Sequence, residues 1–163
     1  MKTTLFLFFL IPVLLIGCNQ STNLPHEGAW QYVSAKYVSN DTVVFEFPGT
    51  LNGSSMKIWT KNHFIFVGLF NFNSKEINSY GGGTYTLTGN RYVENILYHT
   101  NPEFVGKKID MLLEIKNDTL IQTWPVNKDG QIDKHNYRIE KFVRAESSDN
   151  KKKQINPVQS IVL

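Results

Sequence analysis

From Gly28 onward, apolar and polar residues alternate over short runs, and the three- and four-residue spacing of an amphipathic helix is hard to find. β-Branched and aromatic runs bounded by turn residues predict strands at Gly28–Val38, Val43–Phe47, Ser55–Thr60, His63–Phe70, Gly83–Thr88, Arg91–Thr100, Gly106–Lys116, Thr119–Val126 and Tyr137–Arg144. Between them, Thr60-Lys61-Asn62, Thr88-Gly89-Asn90 and Asn117-Asp118 are links short enough for antiparallel hairpins. A long meander leaves two unpaired edges, and closing it on itself removes both. The pattern therefore predicts an all-β fold, an antiparallel up-and-down barrel of about eight strands.

The same alternation assigns faces. Tyr92, Glu94, Ile96 and Tyr98 share one side of their strand; Val93, Asn95, Leu97 and His99 share the other. Phe64, Phe66 and Gly68 form a second set, Ile109, Met111, Leu113 and Ile115 a third, and Leu120, Gln122 and Trp124 a fourth. If the aromatic-rich faces point inward, Glu94 and Gln122 come with them. A barrel of about eight strands has room for packed side chains or one small ligand. The candidate ligand-binding residues are Trp59, Phe66, Tyr85, Glu94, Tyr98, Gln122 and Trp124. Two readings stay open for the aromatics, which serve either as core or as a stacking shell. Glu94 likewise either anchors a ligand's polar end or is a structural acid bonded to a lumen Tyr, Gln or Lys, since an unpaired buried carboxylate is costly.

Other runs have structural explanations. Gly81-Gly82-Gly83 lacks the Lys and Ser/Thr of a phosphate loop and leads into a strand, so it marks a bend or close backbone approach. Asn127–Asp133 echoes part of a calcium loop, but Pro125 and Asn136 stand where acidic ligands belong, and an Asp-Gly turn explains the run. His26, His63, His99 and His135 are not spaced to share a metal; His26 and His135 read as solvated. No metal site and no cofactor are expected. No nucleophile and base stand at a catalytic spacing, so no enzyme activity is expected either.

The first residues belong to another pattern. Lys2 is followed by an apolar run of 12 residues, Leu5 to Ile16, too short for a bilayer-spanning helix of about 20 residues and suited to a signal peptide. Leu15-Ile16-Gly17-Cys18 follows at once and resembles the lipobox, in which the cysteine thiol receives a diacylglyceryl group and the chain is cut before it. The resemblance implies a signal peptide over 1–17, cleavage between Gly17 and Cys18, and a lipid-bearing cysteine opening a polar tether over 18–27. Acyl chains at about 0.8 kcal/mol per buried CH₂ would make the membrane a lasting partner. Asn19–Asn23 lacks an acidic residue beside the cysteine, which by analogy favours the periplasmic leaflet of the outer membrane, with surface display as the alternative.

Cys18 is the single cysteine, so the domain has no internal disulfide. The net charge of +3 is spread among acidic residues and offers no basic stripe for nucleic acid. From Ala145 to Leu163 the chain is largely polar and without period, and reads as a disordered tail. One domain over 28–144 remains.

Gly28-Ala29-Trp30 opens the first strand as the GxW motif opens a lipocalin, where the tryptophan closes the barrel base and an arginine of the last strand stacks on it. Arg144 is best placed for that role, Arg138 second. Four further segments, Lys57–Phe66, Gly81–Tyr85, Tyr92–Ile96 and Gly106–Leu120, are similar to the lipocalin-like domain of small lipoproteins from Gram-negative gut bacteria, a family mostly of unknown function. The resemblance implies the barrel fold and little chemistry; the lipobox, the GxW motif and the aromatic-rich faces together point to a ligand-binding protein of the cell envelope, taking a small apolar, amphipathic or sugar ligand. The alternative is an envelope module that binds another protein or a glycan, with a filled barrel and an exposed aromatic patch.

Overall fold

The computed structural model describes residues 24–145. The residues read from sequence as signal peptide, cleavage site and lipidated cysteine, including Gly17 and Cys18, and those read as a tail beyond Ala145 lie outside the described residues. Nine strands follow one another: β1 (Gly28–Ser39), β2 (Thr42–Phe47), β3 (Asn52–Trp59), β4 (His63–Phe72), β5 (Lys75–Thr88), β6 (Arg91–His99), β7 (Lys108–Lys116), β8 (Thr119–Trp124) and β9 (Tyr137–Arg144). A single 3-10 turn, Pro102–Phe104, interrupts them, and no α-helix occurs among the described residues.

All pairings are antiparallel, and β9 returns to pair with β1 from Trp30↔Arg144 to Val38↔Tyr137. On its other edge β1 pairs with β3 through Gly28–Gln31 and with β2 through Ala35–Ser39. β2 and β3 thus share one position in the wall, and the nine strands close an eight-strand antiparallel barrel of lipocalin-like architecture. Three hairpins turn on pairs with both residues at positive φ, Asn40-Asp41, Asn73-Ser74 and Asn117-Asp118. That conformation matches the twist of the flanking strands and suits Asn and Asp.

The structure corrects the expected start of the fifth strand from Gly83 to Lys75. Lys75–Tyr80 is almost entirely exposed and lacks a buried face, so no alternation betrays it. The glycine run does mark a close approach. A Cβ on Gly83 would stand 2.0 Å from the Asn95 carbonyl oxygen, and one on Gly81 would stand 2.6 Å from the Phe66 ring. Between Gly82 and Gly83 the register with β6 shifts, so that Gly82 faces Tyr98 and Gly83 faces Ile96. Leu97 is the extra residue of this bulge, and such an insertion reverses side-chain parity beyond it.

One end of the barrel is closed. Trp30 is buried there, its indole donating to the His26 carbonyl at 2.8 Å, with the Arg144 guanidinium 4.1 Å above its ring. Arg144 also donates to the Glu27 and Pro25 carbonyls. Residues 24–27, read from sequence as tether, therefore pack against the base. His26, expected to be solvated, is buried and 2.7 Å from the Tyr85 hydroxyl. That hydroxyl donates to the Thr60 carbonyl at 2.6 Å, leaving the His26 Nε2–H as donor to it. Burial lowers the His26 pKa below its ordinary value, keeping the ring neutral. His135 is exposed, within 2.8 Å of Asp41.

Candidate functional site

Above the base, Trp59, Tyr92, Leu120 and Phe142 fill the barrel as apolar core. The next layer is polar. Lys57 on β3 lies two residues from Trp59 and so shares its inward face. Its Nζ donates to Glu94 Oε1 at 2.5 Å and to Gln122 Oε1 at 3.1 Å. Tyr92 donates to the same Glu94 oxygen at 2.8 Å, and Trp59 Nε1 donates to the Tyr92 hydroxyl at 2.8 Å. Gln122 Nε2 completes the set at 3.3 Å from Met111 Sδ. Burial, and then the charge of Glu94, push the Tyr92 phenol well above its ordinary pKa, so it stays a donor.

This network forms the floor of a cavity of about 400 Å³ that opens toward the other end of the barrel. Phe66, Phe70, Phe104 and Phe142 supply apolar wall, with Ile109 and Met111 between them. Higher up, the Arg138 guanidinium lies between two rings, 4.4 Å from Trp124 and 4.6 Å from Tyr37. Glu140, two residues along β9, also faces the lumen. Its exposed surface is cavity wall rather than outer surface. Desolvation there raises its pKa, the Lys57 charge opposes the rise and the Glu94 charge adds to it. Tyr32, facing it from β1, is raised by burial and then by the Glu140 charge, against the pull of Arg138.

The sequence-predicted residues divide into three groups. Phe66, Glu94 and Trp124 line the cavity, and Gln122 is buried in its floor network. Trp59 and Tyr85 lie below it, in the core and at the base. Tyr98, expected inside, is 71% exposed on the outer wall. The bulge at Leu97 turns it outward and brings His99 into the cavity lining instead. Glu94 is the acid bonded to a lumen Lys and Tyr, since its Oε1 already accepts from Lys57 and Tyr92. Sequence reasoning missed Lys57, Arg138 and Glu140. Their signal was parity with a buried residue on the same strand, Lys57 two residues from Trp59, and Glu140 and Arg138 two and four residues from Phe142.

Outside the barrel, Ile65, Tyr80, Leu97 and Tyr98 border a shallow apolar groove over Gly82, of about 270 Å³. These four side chains are each more than 40% exposed, so an apolar patch does exist on this face.

Comparison with curated proteins gave no match. Residues 25–155 match the model of a family described as a domain of unknown function, DUF4488, a span that takes in the whole barrel from base to last strand. The chain belongs to the DUF4488 family.

Proposed function

We propose that this chain is a lipid-anchored envelope protein of lipocalin-like type that holds a small amphipathic molecule inside its barrel and performs no catalysis. The observation that carries the reading is the cavity, about 400 Å³ with aromatic walls above a polar floor. Its size is within the range of small-molecule sites, which combine apolar lining with a few placed polar groups. Leu15–Cys18 supports the anchor, and the polar residues after it favour the outer membrane. Native mass spectrometry of protein purified from cells should show one bound small molecule per chain. A ligand-free chain whose interior also excludes small apolar probes would overturn the reading. Cys18→Ala should abolish palmitate labelling and move the protein to the soluble fraction; an unchanged membrane fraction would remove the anchor from the account.

The outer groove favours a second reading, a module that docks on another envelope protein through Ile65, Tyr80, Leu97 and Tyr98. That reading called for a filled barrel, and the open cavity weighs against it. Crosslinking in cells from position 98 would decide, with recovery of no specific protein counting against a partner.

A further inference from the structure

The upper part of the cavity holds a cation that no protein anion answers. Arg138 on β9 lines the cavity and is half-buried. Its direct cross-strand neighbours are Tyr37 on one side and Trp124 on the other, and the guanidinium lies against both rings. Among the described residues no carboxylate forms an ion pair with it and no acceptor takes a hydrogen bond from it.

The other charges of the lining are answered. Lys57 pairs with Glu94 at 2.5 Å, and Lys36 with Glu46 at 3.7 Å. The Glu140 carboxyl is faced by the Trp124 indole N–H, which favours its charged form. Arg144 marks the closed end of β9, so Arg138 stands two residues, about 7 Å, nearer the open end than Glu140. A ligand entering from the open end meets Arg138 first.

A guanidinium flanked by rings presents its N–H groups at the edge, in one plane. That fork fits the oxygens of a carboxylate or a phosphate, and such charge-assisted bonds are the strong ones. A ligand cation would be repelled there, and a hydroxyl would offer one oxygen and no charge. Resting on the ligand-binding reading above, we propose that the cavity takes amphipathic anions, the head group held by the edge of the Arg138 guanidinium near the open end. The apolar chain lies along Phe66, Phe70, Phe104 and Phe142.

The test uses the chain from residue 19 onward, which keeps the whole barrel. N-Phenyl-1-naphthylamine serves as a fluorescent probe displaced by decanoate, decyl phosphate, 1-decanol or decylamine. In wild type at least one of the two anions should compete about tenfold better than the alcohol and the amine, and the better anion tells carboxylate from phosphate. Arg138→Met keeps an apolar stem and removes the charge. It should lose that preference while binding the probe and 1-decanol as wild type does. The alcohol or the amine competing as well as both anions in wild type would overturn the inference, whether or not the variant folds. Anion affinity unchanged in a probe-binding Arg138→Met would overturn it too. In those outcomes the ligand-binding reading survives, because the probe still binds. Failure of wild type to bind the probe would overturn both.

Discussion

Lys57 Nζ and Glu94 Oε1 stand 2.5 Å apart inside the barrel, and neither side chain is more than 7% exposed. Taking either charge alone into this interior would be costly, and the pair is supported by Gln122 and Tyr92 on its remaining sides. Glu94→Ala should therefore lower stability by about 3–5 kcal/mol, because it strands the Lys57 ammonium. Lys57→Met with Glu94→Leu should recover most of that loss, since an apolar replacement of both partners strands no charge. Urea denaturation of the wild type and both variants measures this. A double variant no more stable than Glu94→Ala would show that packing, rather than charge pairing, governs the layer.

At the closed end, Trp30→Ala should cost about 3–5 kcal/mol, the usual loss for truncating a buried tryptophan. Arg144→Ala removes the cation 4.1 Å from that ring together with its bonds to the Glu27 and Pro25 carbonyls, and should cost less. Because the two side chains share a contact, the double variant should cost less than the sum. Simple additivity in chemical denaturation would mean that the stacking contributes nothing.

Acid–base behaviour should show two opposite limbs. Glu140 has its folded pKa raised, so between its unfolded value of about 4.3 and the folded value the native chain holds more protons. Its contribution to stability therefore falls as pH rises through that window. His26 has its folded pKa lowered, so its contribution is complete above its unfolded value of about 6.5 and is lost as pH falls below it. Glu140→Gln should raise stability near neutral pH, with the gain vanishing toward pH 4. Urea titrations between pH 4 and 8 check both signs; a variant less stable than wild type at pH 7 would contradict the desolvation account of Glu140.

Strand periodicity was legible because most strands bury one face, as Tyr92, Glu94 and Ile96 do on β6. Closure was legible from the length of the meander, and the base from Gly28-Ala29-Trp30 with Arg144. Two features escaped because they break the rule on which the reading rests. The first half of β5 presents no buried face, and the Leu97 bulge reverses parity between Ile96 and Tyr98. The bulge is set by Gly83, whose missing Cβ lets the Asn95 carbonyl approach, and nothing within β6 itself signals it. The candidate site was half legible: Glu94 and Gln122 fall on aromatic faces, whereas Lys57 and Glu140 look like ordinary exposed charges until their strands are phased from Trp59 and Phe142.

The central claim is that the barrel interior is a usable binding site, and filling it is the most direct test. Ser79 lies on the β5 wall of the cavity, and Ser79→Trp would place an indole in the space a ligand needs. Fluorescence titration with N-phenyl-1-naphthylamine should give saturable binding, one probe per chain, for wild type and a loss of at least about tenfold for Ser79→Trp, about 1.4 kcal/mol. Equal binding by both proteins would place the probe elsewhere, the outer groove at Tyr98 being the first place to look, and would contradict the account.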